Sequence, residues 1–192
     1  MERDRLTAFT DGVIAVIITI MVLELKAPHG TDLHALFAQW PSFLSYLLSF
    51  IYVGIYWNNH HHFFQLTPLV NGAILWANLH LLFWLSLVPF TTSWVGENGF
   101  AAGPASAYGA VLLMCAIAFY VMERTIVAAQ GADSPLKRAV GGDFKGRLSP
   151  VLYLSGVALA FYMPAISYAL YAFVAAMWLV PDRRVEKAMA EK

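Results

Sequence analysis

Asp11 is the side chain that most needs a chemical explanation. It stands inside an otherwise apolar stretch, with Arg5 before it and Phe9 and Thr10 beside it. A carboxylate in an apolar helix is costly and points to function: an ion path, a proton relay or a polar tie between helices. Arg5 and Asp11 are not at i,i+4 spacing, so one helix cannot set them face to face. Each is expected to bond another helix or a second subunit. His60, His61 and His62 are consecutive, and His80 stands alone in an apolar run. Imidazoles titrate near pH 6.5, so histidines beside a carboxylate could sense or move protons. Successive helical residues point about 100° apart, so the triplet makes no chelating face and no metal centre is expected. His60 or His61 is expected to join a polar cluster with Asp11, and His80 to reach the same cluster. No nucleophile motif accompanies the Ser, His and Asp residues. Neither enzyme activity nor a cofactor is expected.

These groups must be held by elements suited to lipid. The chain has 192 residues, 59% hydrophobic and 12% charged, whereas soluble domains carry about 25% charged residues. A water-soluble globule and a disordered chain are excluded on that ground. Cys115 is the single cysteine, so no disulfide can form within the chain and the thiol is read as a small apolar filler. With 12 basic and 12 acidic residues the net charge is zero. That leaves no surplus for nucleic acid. No Asp, Glu, Lys or Arg occurs in residues 33–95, 98–122 or 148–181. A spanning helix needs about 20 apolar residues, and the runs are continuous rather than alternating, unlike a barrel.

The sequence therefore predicts an all-α membrane protein, one domain over residues 1–192. Six transmembrane helices are expected, at about 6–25, 41–62, 69–93, 105–123, 148–162 and 164–180. Pro41 suits a first helical turn. The last two spans share one run broken at Met163-Pro164, and residues 130–147 read as a polar loop. Basic residues collect on the cytoplasmic side. With the N- and C-termini cytoplasmic, Lys26 is the one outside cation among the 12. Five spans would place the basic C-terminus outside. The charged tail from Asp182 reads as a short cytoplasmic helix. Trp40, Trp57, Trp94 and Trp178 fall near span ends, as an interfacial belt requires, while Trp76 and Trp84 read as packing residues. Glu123 and Arg124 read as an interfacial pair.

Rotating the first span by about 100° per residue places Arg5, Gly12, Val16, Thr19 and Leu23 on one face, with Ile20 at its margin and Asp11 about a third of a turn away. Small and apolar side chains on one face serve close helix packing. From this pattern alone packing is the preferred reading, and apolar rings around a pore are the alternative. Glu24, next to Leu23, is either a mouth charge that concentrates cations or an interfacial charge neutralised by Lys26.

The run Arg5-Leu6-Thr7-Ala8-Phe9-Thr10-Asp11 resembles the Arg-x-x-x-Phe-Ser-Asp signature of the transmembrane protein 175 family of potassium channels. Thr10 stands where the family usually has Ser and keeps the hydroxyl. The resemblance continues in Trp57-Asn58-Asn59-His60-His61, in Asn78-Leu79 and in Leu87-Val88-Pro89-Phe90; the last three spans match in hydropathy alone. It implies a homotetramer of six-helix subunits around a central pore lined by the first helix. It also implies constriction rings at Val16, Ile20 and Leu23, with Thr19 as a hydroxyl ring. Val16 is smaller than the Ile or Leu common at its position. Arg5, Phe9, Thr10, Asp11, His60, His61 and His80 would tie the pore helix to the second and third spans.

The expected function is a potassium-selective, leak-type cation channel in the cell membrane, with K+ as permeant ion and with further copies of itself and the lipid bilayer as partners. No Thr-Val-Gly-Tyr-Gly filter loop or Arg-rich voltage sensor is present, so selection falls to narrow apolar rings. The rival is a proton-coupled transporter using Asp11 and the histidines as a relay. The inverted repeats common in transporters are not visible in the sequence.

Overall fold

The computed structural model describes residues 2–131, 134–141 and 144–179. The C-terminal tail read as a charged helix lies outside them. Among the described residues the chain is all-helical, without strands.

The first helix, α1 (Arg3–Leu23), packs against α3 (Trp40–Gln65), α4 (Gly72–Leu85) and α5 (Val88–Glu97). Between α1 and α3 lies the short α2 (Leu33–Phe37), capped by the Asp32 carboxylate, which accepts from the Ala35 N–H at 2.9 Å. Pro41 occupies the first turn of α3, as expected. The other half of the molecule is α6 (Ala102–Gln130), α7 (Pro135–Val140), α8 (Phe144–Leu159) and α9 (Pro164–Leu179), with α6 touching α4, α5, α8 and α9.

Two boundaries depart from the sequence expectation. The third span is interrupted at Ser86-Leu87, because Pro89 in the first turn of α5 has no N–H and its ring would meet the Leu85 carbonyl. The fourth does not end at its first charges. It continues to Gln130 and stops at Gly131, whose φ of 82° few other residues adopt. Gln130 then donates to the Leu66 carbonyl at 2.8 Å and accepts from Ser134, the N-cap of α7. The segment read as a polar loop thus contains a capped helix. The expected break before Pro164 is present, and α8 and α9 are 16 residues each, about 24 Å at ~1.5 Å per residue. Length and composition alone qualify α1, the joined Gly72–Glu97 segment and α6 as membrane-crossing, and α9 is a shorter apolar helix.

The second half is locked by Tyr171 of α9. A Cβ on Gly109 of α6 or on Gly156 of α8 would overlap its ring, so two glycines let three helices close around one phenol. The Tyr171 hydroxyl donates to the Ala105 carbonyl at 3.2 Å, and the Tyr52 hydroxyl of α3 donates to the Tyr171 carbonyl at 2.5 Å. Small residues at such crossings are how membrane helices gain packing contact.

Candidate functional site

One side of α1 is covered and the other is bare. Leu6, Thr10, Ile14, Ile17 and Met21 are buried against α3–α5. Across the helix, Val16 is 56% exposed and Leu23 74% exposed, against 3% for Ile17. Arg5, Gly12, Thr19 and Ile20 share the bare side, so the stripe derived from helical rotation is the surface that the subunit leaves uncovered. The Thr19 hydroxyl donates to the Ala15 carbonyl at 2.8 Å. This satisfies its proton and leaves oxygen lone pairs outward. Ile20 lies at the margin, where it and Glu24 line a groove with Phe90 and Trp94 of α5.

Two polar ties fix the rotation of α1. In the first, Thr10 of α1, His60 of α3 and Asn78 of α4 meet in a fully buried cluster. Asn78 donates through Nδ2 to the Thr10 hydroxyl at 2.9 Å, and His60 Nε2–H donates to Asn78 Oδ1 at 2.8 Å. That arrangement fixes the His60 tautomer, and the ring stacks on Phe64 at 4.5 Å between centroids. In the second, Trp57 of α3 donates its indole N–H to Asp11 at 2.9 Å. A third set of hydroxyls joins α3, α5 and α6: Ser49 lies 2.9 Å from the Tyr108 hydroxyl and accepts from Thr92 at 2.7 Å.

Several expected partners do not come together. Asp11 bonds an indole, not a histidine. His61 accepts from Gln65 at 2.7 Å and stacks on Trp57. His80 accepts from the Trp84 indole at 3.0 Å. Both histidines are engaged one turn along their own helix, so neither joins the Asp11 cluster as expected. Arg5 is exposed and makes no hydrogen bond or ion pair among the described residues, and Phe9 is half-exposed. Trp76, read as a packing residue, is 75% exposed because it lies on the uncovered side of α4. Arg124 sits over the Tyr120 ring at 5.9 Å. Glu24 is not neutralised by a Lys26 contact. It accepts from Ser93 at 3.2 Å, while Lys26 forms its ion pair with Glu97. That carboxylate beside it raises the Lys26 pKa above its ordinary 10.5, with Glu24 adding a smaller push.

Sequence reasoning did not count Asn78 or Trp57 among the site residues, although both fall in the motif segments. Asn78 carries a signal: an amide within an apolar span needs partners. Trp57 has none, since its position near a span end explains it equally well.

An apolar helical bundle with helices long enough to cross a bilayer, whose N-terminal helix is polar-tied on one side and bare on another, is the architecture of a membrane-embedded protein. The family described as "Endosomal/lysosomal potassium channel TMEM175" matches residues 5–89. The chain is 52% identical over 191 residues to a protein of Chryseobacterium sp. (strain P1-3) named as a potassium channel, covering 100% of both. The crystal structure of a lysosomal potassium-selective channel TMEM175 homolog from Chamaesiphon minutus superposes with a TM-score of 0.82 at 29% identity, over 94% of this chain and 97% of that one. The endosomal/lysosomal proton channel TMEM175 of Gallus gallus is 26% identical over 62% of this chain, which spans 26% of that longer protein. The chain belongs to the TMEM175 family of channels.

Proposed function

We propose that four copies of this chain form a potassium-selective, leak-type channel in the cell membrane. In this reading each subunit is a single six-span domain with both termini in the cytoplasm, and α1 lines the central axis. The observation that carries it is the bare side of α1. The stripe through Gly12, Val16, Thr19 and Leu23 is left open while Thr10 pins the opposite side and Asp11 ties an adjacent one.

Four such helices would place apolar rings at Val16, Ile20 and Leu23, with a hydroxyl ring at Thr19 between them. A narrow apolar ring forces an ion to shed part of its water. Potassium holds its shell more weakly than sodium and so loses less on entry. The outward lone pairs of Thr19 could replace part of the lost hydration. Glu24 at the outer end would raise the local cation concentration. The names of the bacterial relatives support potassium as the permeant ion.

The name of the vertebrate relatives makes the proton a second ion to test. A histidine relay through Asp11 has weaker support, because no histidine bonds Asp11 and because His61 and His80 are engaged within their own helices. The test is flux in liposomes. Potassium should leave down its gradient faster than sodium and without an imposed proton gradient. Flux that requires a proton gradient overturns the leak-channel reading.

A further inference from the structure

At the far end of the molecule from Glu24, α6, α7 and the start of α8 enclose a groove of about 460 Å³ that the channel mechanism does not use. Arg124, Lys137 and Arg147 line it from three different helices, and all three side chains are exposed. Glu123 is the one carboxylate among the described residues that line it. The floor is apolar, built from Ile117, Val140 and Pro150. On the same face of α8 as Arg147, Val151 and Leu154 follow one and two turns further on, and Leu154 is 60% exposed. The Arg124 guanidinium is already held over the Tyr120 ring at the groove's edge.

We propose that this groove binds the phosphate headgroup of an anionic phospholipid, with an acyl chain lying along Ile117, Val151 and Leu154. The inference rests on reading α6 and α8 as membrane spans. Among the described lining residues three cations face one carboxylate, a balance that attracts a phosphodiester, and Arg presents a fork of donors that fits phosphate oxygens. A choline headgroup would set its own cation against the same three. The apolar floor and exposed aliphatic flank select a lipid over a free anion, because inorganic phosphate has nothing to place there. Basic pockets between helices at the membrane edge commonly hold anionic headgroups.

Native mass spectrometry of the purified full chain, titrated with phosphatidylglycerol or phosphatidylcholine, tests this. Phosphatidylglycerol adducts should outnumber phosphatidylcholine adducts several-fold, and R124Q/K137Q/R147Q should abolish the difference. If the triple variant fails to fold, the single variants K137Q and R147Q on exposed positions should each lower the adduct count. Equal adducts for the two lipids, or unchanged adducts in folded variants, overturn the site. Displacement of phosphatidylglycerol by equimolar inorganic phosphate overturns the lipid as the occupant. Adduct counting needs no ion flux, so loss of this site and loss of the channel reading are separately visible.

Discussion

The Trp57 indole and the Asp11 carboxylate meet at 2.9 Å and join α3 to α1 at the level of Gly12 on its bare face. Asp11 is exposed within the subunit and Trp57 nearly half so, so the bond orients α1 more than it stabilises a core. Asp11→Ala should cost about 1 kcal/mol, the range of one hydrogen bond. It should also reduce the assembled fraction on size-exclusion chromatography. Asp11→Asn keeps an acceptor for the indole and should assemble nearly normally. A normal oligomer from Asp11→Ala would show that the tie is dispensable.

The buried tie through Asn78 should be the more sensitive of the two. Asn78→Leu leaves the His60 N–H and the Thr10 hydroxyl without their partner in a fully buried site. Leaving buried polar groups unsatisfied costs about 1–3 kcal/mol each. A lowered melting temperature in detergent is the expected readout. Thr10→Ser retains the oxygen that Asn78 donates to and should melt close to the parent, whereas Thr10→Val should not. Equal melting of all three variants would deny the cluster a structural role.

The sequence made the bare face of α1 legible because a helix wheel needs only a period, and the period of α1 is undisturbed by Pro or internal Gly clashes. Thr10 and Asp11 were legible for the same reason, as polar residues on an apolar helix. His61 and His80 were misjudged. Each finds a partner four residues away on its own helix, Gln65 and Trp84. Such neighbours are always within reach, whereas a partner on another helix depends on packing that no single-sequence pattern records. The break at Ser86-Leu87 was written in Pro89, yet unbroken hydropathy on both sides concealed it. The Gly109–Tyr171–Gly156 closure was not legible at all, because nothing in the spacing of those residues shows that three helices converge.

Accessibility separates a wetted axis from lipid. Cysteines introduced at Val16, Thr19 and Leu23 should react with a charged, water-soluble thiol reagent, and one at Ile17, which is buried within the subunit, should not. The native Cys115 is itself buried and adds little background. In the same positions Val16→Asn and Leu23→Asn should lower the potassium-over-sodium permeability ratio several-fold. A tenfold loss corresponds to about 1.4 kcal/mol of discrimination. Unchanged reversal potentials, or protection of all three cysteines, would move the constriction away from this face.

The charges at the C-terminal end of α1 predict two separable effects. Glu24 is not tied up by Lys26, whose ion pair is with Glu97. Glu24→Gln should therefore lower potassium conductance in dilute salt. The loss should fade at ~1 M salt, where the Debye length falls to about 3 Å. The Lys26–Glu97 pair follows pH instead. Because the folded pKa of Lys26 is raised above its unfolded value of 10.5, the pair's stabilisation is fully present below that value and is lost as pH rises through the folded pKa. Melting temperature should thus show no contribution from this pair to any slope between neutral pH and pH 10, then fall above it. Glu97→Gln should remove that alkaline step while leaving the low-salt conductance effect of Glu24 in place. An alkaline step of the same size in Glu97→Gln would assign it to another group.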